Sequence, residues 1–187
     1  MSPIIRTARL VLCPFADQHL TERYVGWLND RETTQYSEQR HTRHTIETCR
    51  AYRESLTAAG HLFWAIERGD GDPPHIGNIT AYVDHANRLA DVAIMLGEKT
   101  ARGSGYGLEA FAAVCDWLLS AGKFRKVTAG TLSSNAPMLA IMRRVRMRQD
   151  GVRRRHYIIG DTEVDLVYGA LFAHASPPLP TNSYLAG

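Results

Sequence analysis

Apolar and polar residues change period along this chain, and the change separates strands from helices. Arg9 to Phe15 alternates and predicts a first strand; Pro14, unable to donate to a ladder, points to an edge or a bulge. Asp17 predicts the cap of a helix from Gln18 to about Leu28, and Thr45 opens a second helix to Ala59 that Gly60 ends. Leu62 to Arg68 and Ile76 to Val83 read as hairpin partners across Gly69 to His75, a turn rich in Gly, Asp and Pro. After Asp84-His85-Ala86-Asn87 comes a strand from Leu89 to Gly97, then a glycine-rich segment, then a helix from Leu108 to Ala121 ended by Gly122. Lys126 to Thr131 reads as a strand, and Asn135 caps a helix through about Val145. Arg148 to Ile159 and Val164 to Phe172 form a last hairpin through Gly160-Asp161-Thr162-Glu163.

The predicted order is β-α-α-β-β-β-α-β-α-β-β. Hairpin-linked strands pair antiparallel, while the strands flanking the glycine helix can run parallel through a crossover. The expected class is α/β (α+β): a mixed, mostly antiparallel central sheet of about seven strands with helices on both faces. A chain of 187 residues suits one domain, here residues 1–173, and the proline-bearing stretch 174–187 predicts a disordered tail.

Composition narrows the function classes. With 22 Lys and Arg against 19 Asp and Glu, no global field calls for nucleic acid. Cys13, Cys49 and Cys115 are odd in number and widely spaced, so they fit neither a disulfide framework nor a zinc site, and no metal is expected. They read as buried thiols in a reducing compartment. No apolar run of signal-peptide or membrane-span length is present, and the expectation is a soluble cytoplasmic protein with no membrane partner.

The chemistry concentrates in Arg102-Gly103-Ser104-Gly105-Tyr106-Gly107, between a predicted strand and a predicted helix. Glycines at alternate positions leave consecutive N–H groups free to close around an anion, and the helix start adds its unpaired donors and its dipole. Arg102 supplies a cation at the mouth. This is the chemistry of a pyrophosphate site. A P-loop would need Lys and then Ser or Thr after the last glycine, where Leu108-Glu109 stands. Gly105 to Ala110 satisfies G-x-G-x-x-A, but Glu98 to Arg102 separate it from the strand, and Thr128-Ala129-Gly130-Thr131 puts no acid where a dinucleotide fold wants one. Glu109 reads as a first-turn carboxylate favoured by the dipole.

The remaining pattern, R/Q-x-x-G-x-G/A at Arg102, Gly105 and Gly107, resembles the coenzyme A loop of the GNAT superfamily of acyl-CoA N-acyltransferases. With the strand order, the resemblance covers about Arg9 to Phe172. It is strongest to the ribosomal-protein alanine N-acetyltransferases and their small-molecule relatives, through Trp27-Leu28-Asn29-Asp30, Ile76-Gly77-Asn78-Ile79, Gly105 to Ala110, and Asp150-Gly151-Val152 with His156-Tyr157 and Gly160-Asp161. The resemblance implies acetyl-CoA as co-substrate and a bulged strand before the loop. Backbone groups of Met95, Leu96 and Gly97 would hold the pantetheine arm, and Gly97 would permit the bulge dihedrals. Residues Arg102 to Gly107 would bind pyrophosphate, and Asn135 would touch the cofactor besides capping its helix.

The catalytic pattern departs from the family. Met142 stands where many members carry a tyrosine proton donor, Met138 where the ribosomal branch often has serine, and Arg146-Met147 where Gly-Phe usually ends the helix. Arginine tolerates a left-handed cap worse than glycine, so a rebuilt helix end is expected. Groups that could take the amine proton are Tyr82, Asp84 and His85, Ser133 and Ser134, and His156 or Tyr157; for each one alone, a structural or solvated role is the commoner use.

The expected reaction is attack of a primary amine on acetyl-CoA within a ternary complex. The alternatives are acetylation of a protein N-terminus, as of a ribosomal protein, and a non-catalytic CoA-binding module. Residues 29–44 carry many hydrogen-bonding side chains, which suits a small polyhydroxylated acceptor such as an amino sugar; the bland reading is a solvated loop. Seven arginines between Arg143 and Arg155 read as a solvated face or as a patch for the adenosine 3′-phosphate, for a nucleotide-linked amino sugar as acceptor, or for ribosomal RNA. A homodimer is left open.

Overall fold

The computed structural model describes residues 2–69 and 74–173. The expected turn tip at residues 70–73 and the tail 174–187 lie outside the described residues. The strands are β1 (Ile5–Arg6), β2 (Leu10–Pro14), β3 (Leu62–Arg68), β4 (His75–Asp84), β5 (Leu89–Leu96), β6 (Lys126–Leu132), β7 (Arg148–Ile159) and β8 (Thr162–Phe172). The helices are α1 (Glu22–Asn29), α2 (Arg31–Thr34), α3 (Ile46–Ala58), α4 (Tyr106–Leu119) and α5 (Ala136–Arg144).

All eight strands form one sheet in the order β1-β2-β3-β4-β5-β6-β8-β7. Every pairing is antiparallel except β5 with β6, which the α4 crossover makes parallel. The sheet has one strand more than expected. β1 is two residues long, too short for any period to register, and it exists because Ile5 and Arg6 pair with Leu12 and Val11.

Alternation along the strands sends apolar side chains to both faces. On one, Trp64, Ile66, Ile79 and Val92 pack under Phe111, Val114 and Leu118 of α4, with Met138 and Ile141 of α5 against the same core. On the other, Phe63, Ala65 and Met95 meet Tyr24, Val25 and Trp27 of α1 and Cys49 and Leu56 of α3. Both faces are therefore covered.

Three local expectations are corrected. Asp17 begins a 3-10 turn, Asp17–His19, and Thr21 caps α1 by accepting from the Tyr24 N–H. Residues 29–44 are not a plain loop: Asp30 caps α2, and Glu38–His41 makes a further 3-10 turn. The end of α5 is not rebuilt. Arg146 itself adopts φ 62°, and its N–H reaches the Arg143 carbonyl at 3.0 Å while that of Met147 reaches Met142 at 2.9 Å. The full left-handed capping motif is thus kept without glycine.

Candidate active site

Parallel pairing joins only Leu89–Asp91 to Lys126–Thr128, although β5 runs on to Leu96 and β6 to Leu132. Beyond Asp91 the two strands part, because β6 follows β8 while β5 follows β4. The gap opens through the sheet into a cavity of about 850 Å³. Ile94, Leu96, Met138 and Ile141 line it on the α4–α5 side; Met95, Asn78, Thr80 and Tyr24 line it on the α1–α3 side.

A bulge stands at the end of β5, where the N–H groups of Gly97 and Glu98 both donate to the Ile76 carbonyl, at 3.0 and 3.1 Å. Gly97 is needed for its size: a Cβ there would sit 2.0 Å from the Trp27 ring, and its φ is not positive. Its N–H is already used, so it is not free for a pantetheine arm. Alternation then turns the backbone of Ile94 and Leu96 toward the gap. Gly77 has a matching reason, since its Cβ would lie 2.3 Å from the Met95 carbonyl oxygen. Gly77 and Asn78 were visible in the sequence only as part of a supportive motif.

At the cavity mouth on the α4 side lies the glycine loop. Gly103 and Gly105 take φ of 76° and 84°, where L side chains are strained, and nothing lies within 4 Å of a Cβ built on Gly103. Gly105 precedes α4 directly, so the first-turn N–H groups of that helix face out beside the loop. This cradle fits a pyrophosphate. Arg102, Gly103, Gly105 and Gly107 line the cavity with Met95, Leu96 and Asn135; Gly97, Ser104 and Tyr106 do not. Tyr106 instead carries the Arg9 guanidinium on its ring, 4.4 Å from the centroid, and Ser104 gives Arg9 its carbonyl at 2.9 Å.

Arg9 is a residue the sequence offered only as the start of a strand. It pairs with Glu109, whose oxygens also accept from the Thr7 hydroxyl at 2.6 Å and the Arg9 N–H at 2.9 Å. Burial would raise the Glu109 carboxyl, but these donors outweigh it and hold the group below its ordinary value. Glu109 is therefore the tie between the β1–β2 turn and α4, beyond any dipole effect.

Arg102 reaches the Leu96 carbonyl at 3.4 Å and makes two closer contacts that bear on binding. Its guanidinium reaches Glu32 at 3.0 Å and the Thr33 hydroxyl at 2.7 Å, and Lys99 holds Glu32 at 2.6 Å and Asp30 at 3.2 Å. The loop is thereby fastened to the α2 segment. Asn135 caps α5 by accepting from the Met138 N–H at 3.2 Å and donates to the Thr131 hydroxyl at 3.0 Å.

Of the expected proton acceptors, only Tyr82 reaches the cavity. His85 lies beside Phe124 outside it, Asp84 is bonded to Asn87, and Ser133 and Ser134 are exposed at the β6–α5 turn. His156 and Tyr157 sit by the irregular stretch of β7 beyond Arg153. Met142 is buried, with its methyl 2.7 Å from where a Gly169 Cβ would stand, and only Met138 of the two methionines faces the cavity. The arginine cluster disperses: Arg154 pairs with Asp165 at 2.7 Å, Arg155 pairs with Glu163, Arg153 lies over Tyr168, and Arg144 alone lines the cavity.

Among the described residues, Cys13, His19 and Glu67 bring metal-ligand atom types within 4.8 Å of one another. His19 accepts the Ala16 N–H on Nδ1 at 2.9 Å, so its proton is on Nε2, 3.1 Å from Glu67. That proton occupies the position a metal would need. Burial, with Glu67 adding to it, pushes the Cys13 thiol up to about 11, so it stays protonated.

A sheet split in this way, with a glycine loop at the gap and helices on both faces, defines an acyltransferase of the GNAT type. The model of the acetyltransferase (GNAT) domain matches residues 9–148, and the chain belongs to that family. It is 23% identical over 141 residues to an N-acetyltransferase 9-like protein of Caenorhabditis briggsae, covering 71% of each chain. Among solved structures it is similar to a ribosomal alpha-N-protein acetyltransferase, RimL, in complex with coenzyme A (15% identity, 92% of this chain and 100% of that one, TM-score 0.80). It is also similar to the microcin self-immunity acetyltransferase MccE in complex with acetyl-CoA and AMP (16% identity, 89% and 93% covered, TM-score 0.75). No helix among the described residues is long and apolar enough to cross a membrane.

Proposed function

We propose that this chain transfers the acetyl group of acetyl-CoA to the amine of a small acceptor, by direct attack within a ternary complex. The observation that carries this reading is the single cavity threading the sheet, with an anion cradle at one mouth and a polar chamber at the other. The backbone of Gly103 to Gly107 and Arg102 would hold the pyrophosphate. The backbone edge of β5 at Ile94, with the Leu96 N–H, would hold the pantetheine amides and aim the thioester into the gap, while the Leu96 carbonyl is engaged by Arg102; an N–H there also favours the oxyanion that grows on attack. Acetyl-CoA supplies an activated acyl group whose thiolate leaves without needing a dedicated acid, which accommodates Met138 and Met142.

For the acceptor, Gln35, Tyr36 and Gln39 of residues 29–44 line the chamber, and these neutral hydrogen-bonding groups favour a hydroxylated amine such as an amino sugar over a polyamine. The dispersal of the arginines removes the support for a nucleotide-linked acceptor. Calorimetry should show acetyl-CoA binding that Gly105→Asp abolishes, because a carboxylate in the cradle repels phosphate. Unchanged affinity in that variant would falsify the assignment of the loop. Thiol release should then be seen with amino sugars ahead of Ala- or Ser-initiated peptides; the reverse order identifies a protein N-terminus as the acceptor, and binding without any turnover identifies a non-catalytic module.

A further inference from the structure

The chamber on the α1–α3 side has no free carboxylate among its described walls. Asn78, Thr80 and Tyr82 alternate along β4 and point to one face, with Tyr24 of α1 and Cys49 and Tyr52 of α3 opposite. Glu32, at the rim, is taken by Lys99 and Arg102, and the other formal charges on the lining, Arg102 and Arg144, are positive. An ammonium ion entering here would lose water and find no counter-charge.

Two further features mark the place. The Asn78 side-chain oxygen is sealed from solvent and no protein donor reaches it. A buried amide oxygen without a partner is rare in folded proteins, and one on a cavity wall is available to a ligand once the soft terminal torsion turns it inward. The Tyr52 and Tyr82 hydroxyls lie 2.5 Å apart. One hydroxyl donates to the other, which leaves the second O–H to donate onward, and Tyr82 is 38% exposed, which opens the pair to bulk water.

We infer that the site selects weakly basic primary amines, received in the neutral form, with the Asn78 amide oxygen accepting an amine N–H and the Tyr52–Tyr82 pair passing the shed proton to water. This rests on the acetyltransferase reading above. The amine lone pair forms the C–N bond to the acetyl carbon, and the C–S electron pair departs with the coenzyme sulfur. The extra proton on nitrogen moves through water in the chamber to one tyrosine oxygen as the pair releases its outer proton to solvent, and the thiolate takes a proton from solvent. The selection follows from populations: at pH 7 an amine of pKa about 8 is about one-tenth neutral, whereas one of about 10.4 is neutral in about one molecule in 2,500.

The test measures thiol release by the full chain with acetyl-CoA and ethylamine, 2-fluoroethylamine or 2,2-difluoroethylamine, whose basicity falls with each fluorine at nearly constant size, and with putrescine. At pH 7, kcat/KM should rise at least tenfold from ethylamine to the difluoro compound, with putrescine lowest. Asn78→Ala should lower kcat/KM for the difluoro amine more than tenfold, and Asn78→Asp should shift preference toward ethylamine and putrescine by giving the ammonium a counter-charge. Tyr52→Phe and Tyr82→Phe should each lower kcat several-fold at unchanged KM. Unchanged acetyl-CoA affinity by calorimetry identifies each variant as folded. Faster turnover of putrescine than of the fluorinated amines by the native chain overturns the inference, as does a folded Asn78→Ala within twofold of the native chain. Failure to bind acetyl-CoA, or to acetylate any amine, overturns the acetyltransferase reading and this inference with it.

Discussion

Arg146 holds φ 62° at the end of α5, a conformation that costs a residue with a Cβ about 1–2 kcal/mol. The two capping hydrogen bonds and the buried methionine ahead of it enforce that geometry against the local preference. Arg146→Gly should therefore raise stability by about 1 kcal/mol, with no change in acetyl-CoA affinity, in a urea melt. Asp91 shows the opposite tension. Burial raises its carboxyl above the ordinary aspartate value, and the Thr128 hydroxyl bond at 2.5 Å lowers it only in part. A carboxyl whose folded pKa lies above its unfolded one favours the folded state when protonated, so its contribution is lost as pH rises through the folded value. Asp91→Asn, which can still accept from Thr128, should be more stable than the native chain at pH 7. The difference should close as pH falls below about 3.9; a gap that is constant with pH would mean that ionisation of Asp91 is not its source.

At the scale of elements, the glycine loop is held from both sides. Arg9 and Glu109 fasten it to the β1–β2 turn, while Arg102 and Lys99 fasten it to α2 through Glu32. The second fastening engages the same guanidinium that a pyrophosphate would use. Glu32→Gln should free it and tighten acetyl-CoA binding by roughly threefold at low salt, a gain that shrinks as ionic strength rises. A loss of affinity would show instead that Glu32 preorganises Arg102. The segment containing α2 also borders the chamber, so the pairing places cofactor and acceptor ends under one short helix. Its sequence, with Asp30, Thr33 and Ser37 at turn and cap positions, is built of local stops, and such short turns register poorly in any hydrophobic period.

For the whole molecule, the decisive feature is where the sheet fails to close. The sequence alone determined most strands and helices, the caps at Thr45 and Asn135, the left-handed glycines of the loop and the family they belong to. Those follow from sterics, solvation and hydrogen bonding within a few residues, which the local order of side chains specifies. It did not determine β1, which has no period of its own and forms only on β2, nor the start of α1, where Thr21 outcompeted Asp17. It also left open which polar groups would share the cavity: Tyr82 came to it while His85, three residues on, fell in the β4–β5 turn beside Phe124. Asn78 and Tyr82 share a face through the alternation of β4, but Tyr52 joins them only because α3 packs over that face, beside a gap that opens where β6 turns away with β8. Such a chamber is assembled from residues far apart in the chain, and only the packing of whole elements fixes its charge and its shape.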